Sequence, residues 1–489
     1  MSILKKLYTR IICSRTYCIM LLVVLTALTS SPLIQNHLGR FVKIGFAWGA
    51  FLIVRDMLQS RSMIKNRSSL WLLLFCLSYA VSILIAAPAR LTENVIQLLY
   101  MGLFMVLLFG NDLDSPVEEK KKELLRVGNT FIAVILALTL CCIILFMFSI
   151  GFEYRHNGET FIVGMSFNRF WGLYNPNTGA ALAVTSIFLC WMLLVMGQKR
   201  GRCFYITNIV FQMFYLLLTQ SRTAWYTLLI FGGIILFVQF LLRLRQKGKD
   251  TKGRVAALLA AVLVAAGGVE LLRPVSVAAV SYIPSVITQV KSFIFENGRF
   301  SSEDLHPAIS ERDDSFGSDN TDATNGRVML WKAGLKAFLK KPVFGVTREA
   351  LYDEVSPYLA EERMGNLKRG GLHNIYLSVL VCSGLVGFTL LLIFVLGLCR
   401  TLLFRRSLVV SRENLWQYLL MVIPFSFFLM ELFEARILYR ANIFGVVFWL
   451  FTGYMMYFAE KDAEKAGGGF RSNWVARIER AVCRLKGKR

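Results

Sequence analysis

The chain has 489 residues, 56% of them hydrophobic, a mean hydropathy of +0.55 and a formal net charge of +24. Soluble domains are only about 45–50% apolar, so a soluble globular fold is excluded. The basic residues sit in short clusters between apolar runs, which excludes the single basic face that nucleic-acid binding needs.

Apolar runs of bilayer-crossing length, roughly 17–25 residues, recur along the chain. They predict transmembrane helices at 17–35, 41–58, 69–87, 95–110, 130–150, 176–197, 203–219, 222–242, 254–272, 373–399, 415–433 and 440–458. The strand alternation of a β-barrel is absent. The first run follows a basic stretch, as a signal peptide does, but it is too long and lacks a small-residue cleavage site, so it reads as a retained helix. With Lys5, Lys6, Arg10 and Arg15 in the cytoplasm, the same side receives Arg61/Lys65/Arg67, Lys120–Lys122/Arg126 and Lys199/Arg200/Arg202. It also receives the six basic residues from Arg243 to Arg254 and Arg400/Arg405/Arg406/Arg412. The short loops opposite hold one or two basic residues each. Cytoplasmic loops are the basic ones, so both termini are expected inside.

The organisation that follows is nine helices over 1–272, an extracytoplasmic loop over 273–372, three helices over 373–458 and a basic cytoplasmic tail over 459–489. In the loop, Tyr282–Phe300 mixes apolar and polar residues and suits the membrane surface. Ser301–Asn325 is polar and acidic, with a mobile composition. Arg327–Lys341 spaces Val328, Leu330, Trp331, Leu335, Phe338 and Leu339 as a helix does, and Pro342 ends it. Asp313, Asp314, Asp319 and Asp322 read as solvated loop and not as a metal site. Of the ten cysteines, Cys76, Cys141, Cys142, Cys190, Cys382 and Cys399 lie in or beside spans, where a thiol is a small hydrophobe. No CxxC pair occurs, so neither a metal site nor a disulfide framework is expected.

Four short motifs fall at the expected outer face. Arg169-Phe-Trp-Gly172-Leu-Tyr-Asn175-Pro176-Asn177 opens the sixth span, with Asn and Pro suited to a cap and first turn. Gln220-Ser221-Arg222-Thr223-Ala-Trp225 opens the eighth. Gly326-Arg327-Val-Met-Leu-Trp331 opens the loop helix and leads to Pro342-Val-Phe-Gly345. His373-Asn374, followed by Gly384-Leu-Val-Gly387, opens the tenth. Helix N-termini carry partial positive charge and unsatisfied N–H groups. Reinforced by Arg169, Arg222 and Arg327, they suit a pyrophosphate. Singly, an arginine at a span end snorkels to headgroups, a histidine at a helix start is a cap, and paired glycines allow close packing. The coincidence of four motifs on one face favours a site. Glu431 and Glu434, near an outer span end, are weaker candidates for binding an acceptor.

Together the motifs resemble the O-antigen ligase/O-antigen polymerase superfamily over about residues 165–400. One departure is that Pro342-Val-Phe-Gly345 continues into Val-Thr where members commonly have another glycine. The resemblance implies an all-α polytopic, GT-C-like membrane glycosyltransferase of the bacterial plasma membrane. Such an enzyme passes a glycan from a polyprenyl-diphosphate carrier to the hydroxyl of an acceptor glycan or glycolipid, among membrane lipids and without metal or other cofactor. It implies that Arg222 and Arg327, with Arg169, hold the diphosphate, that His373 assists the acceptor, and that Asn175, Asn177, Ser221 and Asn374 support them. A histidine among arginines and helix N-termini is expected to be neutral and able to accept a proton. The competing reading is a lipid-linked glycan flippase or another polytopic transporter. It needs ionisable residues deep in the spans, and spans five to nine hold essentially none. No internal repeat is visible either.

Overall fold

In the computed structural model, residues 8–58, 67–86, 90–156, 159–166, 168–198, 201–246, 252–295, 304–309, 326–402 and 411–465 are described. The four acidic residues between Asp313 and Asp322, and the tail beyond 465, lie outside them. The chain builds α1 (Arg15–Leu28), α2 (Pro32–Leu58), α3 (Arg67–Ala86), α4 (Leu91–Leu103) and α5 (Val117–Met147). Two small hairpins follow: β1 (Phe152–His156) with β2 (Glu159–Val163), and β3 (Met165–Ser166) with β4 (Arg169–Phe170). Next come α6 (Pro176–Val195), α7 (Arg202–Thr219), α8 (Arg222–Gln246), α9 (Lys252–Ser281) and α10 (Ile283–Phe295). The chain continues with α11 (Arg327–Lys340), α12 (Leu351–Val355), α13 (Glu361–Gly370), α14 (Ile375–Arg400), α15 (Leu415–Met430) and α16 (Ile443–Lys465).

The protein is an all-α multi-pass membrane protein. Among the described residues, nine helical stretches are long and apolar enough to cross a bilayer, and α1 and α15 are shorter apolar helices. Each expected span falls on a helix, although α2, which carries the expected span 41–58, is not among the helices apolar enough to cross, and there are three further differences. The expected span 17–35 is broken at Thr29–Ser31, where α2 begins. Helix α9 continues past 272, through Pro274, to Ser281. The hairpins between α5 and α6 have no counterpart in the sequence reading.

Burial sorts the helices into inner and outer. The apolar window of α16 is 94% buried and that of α6 is 78% buried, while α9 buries none of its window and faces outward along its length. Within the bundle, polar side chains tie α5, α6 and α7 together. Thr139 Oγ1 donates to Gln212 Oε1 (3.1 Å), Asn208 Nδ2 to Ile132 O (3.1 Å) and Ser186 Oγ to Asn208 Oδ1 (3.1 Å). In an apolar surround such bonds hold helices where hydrophobicity gives no preference.

At the end of α5 away from the hairpins, α4 runs into a π-helical turn, Phe104–Phe109. Its last carbonyls are satisfied by Arg15, whose Nε reaches Leu107 O (3.0 Å) and whose Nη2 reaches Leu108 O and Gly110 O (both 3.1 Å). Arg15 also pairs with Glu123, which accepts from Tyr454 OH at 2.8 Å. This charge cluster is thereby fully engaged in structure.

The third and fourth motifs interlock. Helix α14 is broken at Gly384, where φ is 65° and ψ is −170°. The strap after α11 fills the break by main-chain bonds: Leu385 N to Pro342 O (2.8 Å), Val386 N to Val343 O (3.2 Å), Val346 N to Val381 O (2.9 Å) and Thr347 N to Cys382 O (3.0 Å). A β-carbon at Gly384 would run into the Val343 carbonyl. The glycine thus serves both the left-handed φ and the close approach. This bond set fastens the strap that leaves the end of α11 to α14, two to three turns into that helix.

Candidate functional site

Four helices begin at one end of the bundle, each with its own sequence device. Asn175 caps α6, its Oδ1 accepting from Asn177 N at 3.0 Å, with Pro176 in the first turn. Helix α7 stops at Gln220 in the left-handed conformation (φ 50°), and α8 starts two residues later. Gly326 precedes α11 with φ 75°, the left-handed conformation that favours glycine, and the Arg363 guanidinium packs against it. Asn374 caps α14, accepting from Leu377 N (2.9 Å) while its Nδ2 donates to Leu432 O (3.0 Å). That last bond and Ile375 N to Glu431 O (3.0 Å) bring the segment after α15 against the start of α14.

On that segment stands Glu434, and three of the four motifs meet on its carboxylate. Oε1 accepts from Asn177 Nδ2 at 3.0 Å and lies 3.6 Å from Arg327 Nη2, while Oε2 lies 3.4 Å from His373 Nδ1. Asn177 extends the network, since its Oδ1 accepts from Arg169 Nη2 (2.8 Å) and from Ser221 Oγ (3.3 Å). Arg169 Nε also donates to Thr219 O (3.0 Å), which fixes the guanidinium at the α7–α8 junction. The Arg327 guanidinium lies 5.6 Å over the Phe433 ring. The Glu434 side chain is 16% exposed, Arg327 20% and His373 24%, so the cluster is sheltered but reachable.

Two carboxylates three residues apart are driven in opposite directions. Burial pushes the Glu434 carboxyl up, but the bond to His373 and the charges of Arg436, His373 and Arg327 outweigh it and hold it down at about 2. Glu431 has no exposed surface, and burial raises it despite Arg436, whose N and Nε reach its two oxygens at 2.6 and 2.9 Å. Glu434 is therefore the ionised anchor of the site, while Glu431 braces the turn beneath it.

The sequence-derived residues fall as follows. Arg169, Asn177, Ser221, Arg327 and His373 are joined through Glu434 and Asn177. Asn175 and Asn374 are helix caps. Arg222 is exposed on the first turn of α8, next to Ser221. The sequence reading surrounded His373 with positive charge alone, whereas the structure puts a carboxylate beside Nδ1. His373 has φ 48°, an uncommon conformation held by the Asn374 cap that follows it. Its ring packs over Gly370, where a β-carbon would collide with Nε2. Trp225 of the second motif turns away from the cluster, donating from Nε1 to Glu270 Oε2 of α9 (2.5 Å). Glu270 is thus an ionisable residue inside the ninth expected span.

An apolar cavity of about 360 Å³ opens between α14, α15 and α16, lined among others by Ile375, Tyr376, Phe388, Phe428 and Trp449. It starts one residue beyond His373-Asn374. A second cavity of about 500 Å³, with a mixed polar and apolar lining, lies between the hairpins, the end of α5 and the start of α10.

Residues 207–392 match the family described as O-antigen ligase. The match covers less than half of the chain and supports the O-antigen ligase/polymerase superfamily for this domain. The chain is a multi-pass membrane protein, and the match supports an enzyme of polysaccharide biosynthesis. No curated protein matches it. The matched stretch runs from α7 into α14 and holds the second, third and fourth motifs. Arg169–Asn177 and Glu434 lie outside it, one on either side, and the fold brings both to it.

Proposed function

We propose that this enzyme transfers a glycan from a polyprenyl-diphosphate carrier to the hydroxyl of an acceptor glycan or glycolipid, at the non-cytoplasmic face of the bacterial plasma membrane. The observation that carries the reading is the Glu434 carboxylate shared by His373, Arg327 and Asn177, because it sets an anion-binding group and a proton acceptor side by side.

In the reaction the acceptor oxygen forms a bond to the anomeric carbon, the bond from that carbon to the diphosphate oxygen breaks, and the acceptor proton passes to His373. Glu434 faces Nδ1, which leaves Nε2 for the acceptor, beside the space that Gly370 keeps open. Orientation of an imidazole by a carboxylate on its other nitrogen fixes which nitrogen is the base. The leaving diphosphate gathers negative charge. Arg327, Arg222 and Arg169, with the N-terminal turns of α6, α8 and α11, supply fixed positive charge where it develops. Arginines and helix ends fill the place that a divalent cation takes at other phosphate sites, so the step as written needs no metal.

The test is transfer in vitro, with the purified chain in nanodiscs, a polyprenyl-diphosphate glycan and its acceptor. Wild type forms product, while His373→Ala and Arg222→Ala lose it. Full activity in both variants would overturn the site. Movement of the donor across a sealed vesicle without transfer would instead support a flippase.

A further inference from the structure

The strap that fills the break in α14 runs on through Thr347, Arg348 and Glu349, where three helices pin consecutive main-chain N–H groups. Thr347 N donates to Cys382 O of α14 (3.0 Å), Arg348 N to Tyr79 OH of α3 (3.1 Å) and Glu349 N to Asn94 Oδ1 of α4 (3.4 Å). Within this grip Thr347 holds φ 67°, and its buried Oγ1 has no hydrogen-bond partner among the described residues. A strained residue persists only where its surroundings over-determine it. The direction in which Arg348 leaves the backbone is therefore fixed.

The guanidinium on that fixed stem is half-buried, and among the described residues it has neither a carboxylate nor a hydrogen-bond acceptor. The acidic residues that follow it are engaged elsewhere. Glu349 accepts from Gln97 Nε2, Asp353 pairs with Arg90 (2.7 Å) and Glu354 pairs with Lys341 (2.6 Å). A charge partly withdrawn from water is costly without a counter-charge. The planar fork of arginine matches the oxygens of a phosphate or a carboxylate.

Its place says which substrate brings that anion. The guanidinium packs against Gly371, where a β-carbon would lie 3.3 Å from Arg348 Nη2, and the His373 ring covers Gly370, the residue before it. Adjacent Cα atoms are about 3.8 Å apart, so the guanidinium and His373 Nε2 lie within about 12 Å whichever way each glycine faces. Glu434, with Arg327 on its other oxygen, stands at Nδ1. Arg348 shares the glycine pair with Nε2, the nitrogen left to the acceptor. We propose that Arg348 binds the acceptor through an anionic group, a phosphate or a carboxylate, carried close to the hydroxyl that is glycosylated. The proposal rests on the transfer reading above and specifies its acceptor.

The experiment assays the full-length chain in nanodiscs with a polyprenyl-diphosphate glycan and the acceptor isolated from producing cells. The acceptor is used untreated, treated with alkaline phosphatase, or amidated at its carboxyls with carbodiimide and methylamine. With wild type, one of the two treatments is expected to raise the acceptor KM about tenfold or more, the scale of a lost charge-assisted bond. Which treatment does so tells phosphate from carboxylate. Arg348→Gln is expected to raise the acceptor KM by a similar factor with untreated acceptor, to keep kcat and the donor KM, and to lose the response to treatment. Arg348→Lys should recover part of the affinity. An Arg348→Gln enzyme that responds to treatment as wild type does, or that is impaired equally with every acceptor, overturns the assignment. So does a wild type indifferent to both treatments. If wild type forms no product with any acceptor, the transfer reading itself has failed, and the assignment with it.

Discussion

Asn177 Nδ2 donates to Glu434 Oε1 at 3.0 Å, across 257 residues of sequence. One residue starts α6 and the other follows α15, and both stand outside the family-matched stretch 207–392. The amide works in both directions, since its oxygen accepts from Arg169 and Ser221 while its nitrogen donates to Glu434. Asparagine is the side chain that meets both demands at that position. The charged cluster is therefore held as one unit by a neutral linker between a cationic half and an anionic one.

Replacing that linker tests the arrangement. In Asn177→Asp the atom facing Glu434 becomes a carboxylate oxygen, and like charge replaces a hydrogen bond. Asn177→Ala removes the bond without adding repulsion. Transfer is expected to fall in both, by roughly tenfold in the alanine variant for one lost bond, and further in the aspartate variant. Equal rates in the two variants would show that Glu434 is not ionised beside Asn177.

Glu434 also ties stability to pH. Its carboxyl is held at about 2 in the folded chain against an ordinary 4.5, so its stabilisation is present in full above about 4.5 and fades as pH falls toward 2. Glu434→Gln is neutral at every pH. It is expected to unfold more easily than wild type near neutrality, by roughly 1–3 kcal/mol for unpaired buried partners. The two melting curves should converge as the pH is lowered through that window. Thermal unfolding of the detergent-purified chain from pH 7 downward measures the gap, and a constant gap refutes the assignment.

Hydropathy was enough to read the helices, because bilayer crossing imposes length and composition directly on the sequence. The cap at Asn175 and the loop helix from Arg327 were legible for the same local reason, whereas at the start of α14 the cap is Asn374 and not His373. Glu434 was not. Its importance lies in contacts with Asn177, Arg327 and His373, and nothing local to Phe433-Glu434-Ala435 encodes them. The β1–β2 hairpin did carry a signal, since Asn157-Gly158 between alternating strands is a hairpin dipeptide. That short alternation was submerged between two long apolar runs. The interlock of Pro342–Thr347 with Gly384 was half visible as two motifs, but their main-chain pairing belongs to tertiary structure alone.

That interlock gives a contrast within one helix. Gly384→Ala puts a β-carbon into the Val343 carbonyl at a φ of 65°, whereas Gly397→Ala, further along α14, meets nothing within 4 Å. The first substitution is expected to lower the melting temperature and detach α11 from α14, at a cost of roughly 1–3 kcal/mol or more for overpacking with strain. The second is expected to be neutral or slightly stabilising, as alanine favours a helix over glycine by about 1 kcal/mol. Protease accessibility of the 342–347 strap reports the detachment, and similar behaviour of the two variants would contradict the role given to Gly384.

The division of labour between His373 and the arginines separates binding from chemistry. If His373 takes the acceptor proton, His373→Ala lowers kcat by about 10²–10⁴-fold, the usual worth of a positioned base, and leaves donor affinity unchanged. If Arg327 acts on the diphosphate in both the bound and the reacting state, Arg327→Ala is expected to raise the donor KM as well as lower kcat. Arg327→Lys keeps the charge but loses the planar fork, and it should recover affinity better than rate. Gly370→Ala, which crowds Nε2 without touching either arginine, should then resemble His373→Ala in lowering kcat alone. Steady-state kinetics with donor varied at fixed acceptor distinguish these patterns. A Gly370→Ala enzyme with normal kcat, or a His373→Ala enzyme that fails only in donor binding, would move the proton acceptor away from His373 and leave Glu434 as the carboxylate to examine in its place.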